Sequence, residues 1–232
     1  MHSNRYIIIY ASIMVVIVAT ILATAAMQLK PFQDKNVRTE KMQDILISAG
    51  ITSTPKDAEQ KYNQYIIEEL VIDKDGNVVG NDAFEIDLAA ELNKEEGQRR
   101  YPLFIAEEAG EKYYIIPMRG KGLWGPIWGY IALGDDLNTV YGAKFDHKSE
   151  TPGLGAEINE AAFQKQFEGK KLFDDSGKFT SILVRKGGAR EGNEHEVDAI
   201  SGGTITSDGV TYMLRDGIGS YLPYFQNQRR QS

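Results

Sequence analysis

The stretch Ser201-Gly202-Gly203-Thr204-Ile205-Thr206-Ser207-Asp208-Gly209-Val210 concentrates the groups that handle a phosphate. Two adjacent glycines stand between hydroxyl residues, just after the acid Asp198 and just before a helix-like run. Bare backbone N–H groups, small side chains and several hydroxyls meet at one point. They suit a phosphate held non-covalently or as an ester on a hydroxyl. The same residues also allow a plainer loop, in which Thr206 or Ser207 caps a helix opening at Val210. No Gly-Lys-Ser/Thr follows, so the loop is not a Walker A motif, and the dinucleotide fingerprint is lacking too. Ala199-Ile200-Ser201-Gly202-Gly203 lacks the leading glycine of a nucleophile elbow, which argues against a hydrolase serine.

Two further segments carry possible chemistry. Glu150-Thr151-Pro152-Gly153-Leu154-Gly155-Ala156-Glu157 holds a Pro-Gly pair and a second glycine, the marks of a tight turn that something can approach closely. A purely structural turn has the same composition. From Gly120 to Tyr130, glycines and a proline are interleaved with Trp124 and Trp128. These aromatics read either as core beside a turn or as a stacking surface for a planar ligand. His2, His147 and His195 are isolated, show no metal-ligand spacing and read as surface residues. The pairs Glu95-Glu96, Glu107-Glu108 and Asp135-Asp136 read as solvated faces.

The elements that position these segments follow from composition and periodicity. At 232 residues and 42% hydrophobic, the chain can form one sizeable domain and an appendage. A net charge of −7 and no Lys/Arg-rich block leave no footprint for nucleic acid. The absence of cysteine excludes disulfides, thiolate metal sites, iron–sulfur ligation and a cysteine nucleophile.

From Tyr6 to Leu29 there is no charged residue, and Arg5 and Lys30 bracket the run. As a helix rising ~1.5 Å per residue, it can cross a hydrocarbon core of ~30 Å. Ala23-Thr24-Ala25 loosely fits a signal-peptide cleavage site, but such signals have shorter apolar cores of roughly 7–15 residues. An uncleaved anchor is therefore expected. Positive residues flank both ends, so charge does not fix its orientation.

After the anchor, Val37, Met42, Ile45 and Leu46 recur at helical spacing, with Gly50 as a stop. A second helix is expected over 55–70, with Thr54 as cap and Pro55 in its first position. Val71-Ile72 and Val78-Val79 flank Asp75-Gly76-Asn77 as a hairpin. Strands are expected at Tyr113–Met118, Ile127–Leu133, Val140–Phe145 and Phe179–Arg185, and helices at 160–168 and 210–221. Mixed elements without regular βαβ alternation give an α+β fold: a single N-terminal transmembrane helix followed by one mixed domain. The expected divisions are 1–30 for the anchor, 31–70 for a helical connecting region and 71–232 for the domain.

Taken together, these segments resemble the C-type subunit of the sodium-translocating NADH:quinone reductase of bacteria over most of the chain. Asp198-Ala199-Ile200-Ser201-Gly202-Gly203-Thr204 is similar to that family's flavinylation pattern, Asp-x-x-Ser/Thr-Gly-Ala-Thr/Ser, with Gly203 replacing the usual alanine. The turn Glu150–Gly155 is shared with the G-type subunit of the Rnf electron-transport complex. Gly122-Leu123-Trp124 and Pro126-Ile127-Trp128-Gly129-Tyr130 look more like the quinone-reductase protein. The resemblance implies an extracytoplasmic FMN-binding domain with FMN bound covalently to Thr204 through a phosphoester, Thr206 being the second hydroxyl at hand. Ser201, Gly202, Gly203 and Thr206 would hold the phosphate and ribityl chain. Thr151, Leu154, Gly155 and Trp124 would line the isoalloxazine. Asp198 would belong to the signal read by a separate flavin transferase. The implied setting is the bacterial cytoplasmic membrane, with the domain on the periplasmic side and electrons passing among other subunits of the complex. Sodium movement falls to those subunits, because one helix without intramembrane charge offers no ion path. A membrane-tethered flavin-binding sensory domain is the alternative of a different class.

Overall fold

The computed structural model describes residues 3–231, with the backbone alone at 230 and 231, so His2 lies outside the described residues. The chain divides into two compact units, residues 1–41 and 42–232. Helix α1 (Asn4–Ser48) opens the chain, and among the described residues it alone is long and apolar enough to cross a membrane. Thr20 and Thr24 donate their hydroxyls to Val16 O and Thr20 O at 2.8 Å. Both threonines of the apolar run are thus satisfied within the helix.

From Met42 onward the helix belongs to the second unit: Met42, Ile45, Leu46 and Ala49 are buried. Gly50 ends it with φ +76°, and Ile51 N–H returns to Leu46 O at 2.9 Å. Helix α2 (Ala58–Tyr65) starts later than the expected Thr54-Pro55 opening. Thr54 donates both its N–H (2.6 Å) and its hydroxyl (2.7 Å) to Asp57, so its side chain caps nothing. Strand β1 (Ile66–Ile72) begins inside the stretch expected to be helical, because its β-branched residues pair along a neighbouring strand. Residues 42–70, expected within a connecting region, instead supply one side of the body's core.

The chain continues through β2 (Val78–Gly80), α3 (Leu88–Leu92), β3 (Tyr101–Glu108), β4 (Glu111–Lys121), β5 (Pro126–Leu133) and β6 (Val140–His147). The antiparallel sheet has the order β2-β1-β3-β4-β5-β6. Helix α4 (Ala161–Gln164), strands β7 (Leu183–Arg185) and β8 (Glu196–Asp198), which pair in parallel, and helices α5 (Thr204–Gly219) and α6 (Leu222–Gln231) complete the fold. The mixed α+β architecture is as expected from the sequence.

Both faces of the sheet are buried. Leu103, Ile116, Met118, Ile127 and Ile131 face a cluster with Val210, Met213, Leu214 and Ile218 of α5 and Tyr221. Phe104, Ala106, Ile115, Tyr130 and Ala132 face the end of α1 and α2. A strand covered on both sides reads as a solid apolar run, and β3 carries Pro102 as well, so the sequence hid it. The β3–β4 ladder ends at the pair Phe104–Ile115, and continuing its register would set Pro102 opposite Pro117. Neither proline can donate, and the strands part there. The buried Tyr221 hydroxyl satisfies the Pro102 carbonyl at 2.7 Å.

Helix α5 lies close on β4. A Cβ added at Gly209 would stand 2.3 Å from the Lys121 carbonyl oxygen. Gly209→Ala is therefore expected to push α5 off the sheet and destabilise the body by roughly 1–3 kcal/mol. Denaturant unfolding of the full chain checks this. Gly97→Ala, with nothing within 4 Å of its added methyl, serves as the control expected to unfold like the parent.

Candidate functional site

The site forms around the first turn of α5. The helix starts at Thr204, six residues earlier than expected, with Gly203 at the N-cap and no side-chain cap. Thr206 and Ser207 are not caps: both are buried inside the first turn, with their hydroxyls engaged elsewhere. Ser207 Oγ accepts the Ile200 N–H at 3.1 Å, and Gly203 N–H returns to Ile200 O at 3.0 Å. These two bonds fold the loop tightly onto the helix head. The leading amides of a helix have no intrahelical acceptor and carry the positive end of its dipole.

Thr206 donates its hydroxyl to Glu150 Oε2 at 2.6 Å. Thr204 is half-buried, and its hydroxyl has no hydrogen-bond partner among the described residues. At Gly202, φ is +74° and an added Cβ would stand 2.5 Å from Leu154 Cδ2. The positive φ favours glycine there, while the contact would be met by a turn of the Leu154 side chain. At Gly203 an added Cβ would lie 3.0 Å from Ile200 Cγ2, a contact relieved by a shift of a few tenths of an ångström.

Across from this turn stands Glu150, 5% exposed. Its Oε1 accepts the Trp124 N–H at 2.8 Å, which fixes the connection between β4 and β5. Its own N–H donates to His147 Nδ1 at 3.2 Å. Burial pushes the Glu150 carboxyl up. Hydrogen bonds from the Thr206 hydroxyl and the Trp124 and Leu123 amides outweigh it and hold the group below the ordinary carboxylate range. The carboxylate is ionised at neutral pH.

A cavity of about 190 Å³ lies between these parts. Thr151, Leu154 and Gly155 line it from the turn after β6, and Gly202, Gly203, Thr204 and Thr206 from the head of α5. Those seven sequence candidates, up to 55 residues apart, meet in one cleft. Ser201 is exposed on the turn beside it, and the Trp124 side chain is 65% exposed, outside the lining. Leu123, Glu150 and Ile205 also line the cleft without having been singled out as site residues. The alternation along the Leu123-Trp124 arm and around the first helical turn could have pointed to Leu123 and Ile205. The burial of one glutamate among many leaves no local signal.

Asp198 lies apart from the cleft. Its Oδ1 accepts the Ala189 N–H at 2.6 Å, closing the loop between β7 and β8. Buried Glu196, two residues earlier, ties the same loop: it accepts from Arg190 N–H and Nε at 3.0 Å and from Arg185 Nη1 at 3.2 Å. The side-chain bond from Arg190, above all, holds the Glu196 carboxyl down at about 2. The two histidines described are half-buried rather than on the surface. Each is hydrogen-bonded, His195 through Nδ1 to Lys171 O at 2.7 Å and His147 to the Glu150 amide.

Comparison with known proteins bears on the same segments. The profile of a family described as an FMN-binding domain matches residues 122–219. The C-type subunit of Na(+)-translocating NADH-quinone reductase from Vibrio anguillarum is 35% identical over 216 residues, 86% of this chain and 84% of that protein. Its counterpart from Neisseria meningitidis serogroup B is 34% identical over 230 residues, covering 90% and 88%. A crystal structure of the same C-type subunit from Parabacteroides distasonis is 43% identical, with a TM-score of 0.79 over 85% of this chain and 96% of that one. That of Shewanella oneidensis NqrC is 29% identical, with a TM-score of 0.73 over 84% and 98%.

The Glu196 clamp makes the loop between β7 and β8 acid-sensitive. Its carboxyl falls from an ordinary 4.5 to about 2 on folding, so its contribution is full above pH 4.5 and is lost as pH falls toward 2. In Glu196→Gln, stability is expected to be lower at neutral pH and to decline less steeply between pH 4.5 and 2. Denaturant midpoints taken across that window measure the difference.

Proposed function

Because this chain belongs to the family of the C-type subunit of Na(+)-translocating NADH-quinone reductase, we propose that it carries electrons within such a complex. It does so as a membrane-anchored subunit, with FMN joined to Thr204 by a phosphoester bond. The observation that carries this reading is the contrast between the two threonine hydroxyls at the head of α5. Thr206 is buried and committed to Glu150, whereas Thr204 is half-buried with its hydroxyl unengaged.

The residues present suit FMN. The uncapped amides of the first turn favour a phosphate, and Gly202 and Gly203 keep side chains out of its way. Exposed Ser201, on the turn that leads into α5, would add a hydroxyl for the phosphate and ribityl chain. Leu123, Leu154 and Ile205 offer apolar contact for a planar ring, with Thr151 and Gly155 between them. At about 190 Å³ the cavity is smaller than a whole-ligand pocket of ~300–1,000 Å³, so it encloses part of the group. The remainder rests against exposed Leu123, Trp124 and Leu154.

Flavin supplies the redox chemistry when bound, and this chain supplies position, environment and solvent access. An unassisted threonine hydroxyl is a poor nucleophile. The one carboxylate lining the cleft is already hydrogen-bonded to Thr206. Attachment therefore falls to a separate flavin transferase, for which Asp198 and its loop form part of the recognised segment. Residues 1–30 anchor the chain in the lipid bilayer of the bacterial cytoplasmic membrane, and the body works on the periplasmic side with other subunits of the complex.

Chain co-expressed with the transferase is expected to give a flavin-fluorescent band on a denaturing gel. Thr204→Ala loses that fluorescence essentially completely, and Gly203→Ala keeps it. Fluorescence that persists in Thr204→Ala and disappears in Thr206→Ala would move the acceptor. The chain should also co-purify with a multi-subunit membrane complex in which NADH reduces its flavin. A solitary protein whose flavin NADH cannot reach would overturn the electron-transfer role.

A further inference from the structure

Glu150 is the single ionisable side chain among the residues lining the cleft. Its two oxygens reach opposite walls. Oε1 takes the Trp124 N–H at 2.8 Å from the β4–β5 connection, and Oε2 takes the Thr206 hydroxyl at 2.6 Å from α5. Both incoming groups donate here, and a carboxylate has an acceptor oxygen for each. The surrounding backbone leaves room for this group and little else. A Cβ at Gly122 would stand 2.6 Å from Oε1, and one at Gly155 would stand 2.5 Å from Oε2. From behind, the Glu150 amide is held by His147 Nδ1 at 3.2 Å.

We propose that Glu150 is a positioning residue that ties the two walls of the cleft together, and that its fixed negative charge lowers the reduction potential of the flavin bound there. The second half rests on reading the cleft as the flavin site. An electron entering the flavin adds a unit of negative charge unless a proton follows from solvent. A buried anion nearby opposes that addition, and the low dielectric around it strengthens the effect. The carboxylate itself is kept charged by its two donors and by its place near the positive end of α5. A glutamine of the same shape would give up the field while its amide can still bond both walls, whereas an apolar residue would give up the bonds as well.

Two measurements on the full chain test this. In flavin-free protein, Glu150→Leu, which can accept from neither wall, is expected to raise amide exchange at Trp124 about tenfold, the effect of a lost buried hydrogen bond. In flavin-loaded protein, Glu150→Gln is expected to shift the flavin midpoint potential upward. Thr206→Val keeps the charge and the Trp124 bond, so it leaves Trp124 exchange unchanged and does not raise the potential. Glu150→Asp keeps the charge but is one methylene too short. It speeds Trp124 exchange while the potential stays low. Unchanged exchange in Glu150→Leu overturns the positioning role, and an unchanged potential in loaded Glu150→Gln overturns the electrostatic one. Parent chain that takes up no flavin alongside the transferase would overturn the proposed function instead, and the exchange measurement would still decide the positioning role.

Discussion

The close approach of α5 to β4 is the constraint on which the rest of the structure depends. Gly209 brings the helix against the Lys121 carbonyl with no side chain between, while Gly217 sits over Met118 and Gly120 under Met213. A helix held at backbone distance at Gly209 and packed on methionine side chains at the other two points has little freedom to slide or tilt, because packed interiors leave no slack for either. Its first turn is then fixed relative to the strand end that leads to Leu123 and Trp124. The sheet can hold the helix this firmly because its other face is also covered, by the end of α1 and by α2. Where Pro102 and Pro117 would face each other and the ladder fails, Tyr221 plugs the gap just beyond the end of α5.

Within that frame, the polar groups of the site divide their tasks. The hydroxyls of Thr206 and Ser207 are used to build the cleft, one bonded to Glu150 and the other to the Ile200 amide. What remains for a ligand is the Thr204 hydroxyl and the leading amides of the helix. An acidic chain with a net charge of −7 would repel an anion at most of its surface. The helix head, with no capping side chain, is a local exception made from backbone alone. Such a site needs no lysine or arginine, and none lines the cleft.

Much of this was legible in the sequence, and the failures have identifiable causes. β4, β5 and β6 declared themselves through aromatic and β-branched residues, and the hairpin of β1 and β2 through Asp75-Gly76-Asn77. β3 did not, since a two-faced strand loses its alternation and Pro102 reads as a breaker. β8 is three residues long and pairs in parallel with a strand just as short, too little pattern to detect. The start of α5 was placed too late because threonine, serine, aspartate and glycine read as caps rather than as helix. Tertiary partners for Thr206 and Ser207 removed their competition with the backbone. The glycines and hydroxyls that line the cleft stood out because they cluster in two short runs of sequence. Glu150 did not, since its importance comes from burial and from a partner 56 residues away.

The balance between enclosure and exposure at the cleft matches the task proposed for it. An enzyme that must exclude water closes over its substrate, and a carrier that exchanges electrons must leave its group open to partners. Here the head of α5 is backed by a buried carboxylate and a folded loop, while Leu123, Trp124, Leu154 and Ile205 remain exposed around it. A cleft of about 190 Å³ with an open apolar rim would hold a free flavin weakly, because affinity for such ligands comes largely from buried surface. The proposed covalent bond at Thr204 would remove that conflict. Retention would then depend on the ester rather than on burial, and the exposed side could stay exposed for electron transfer.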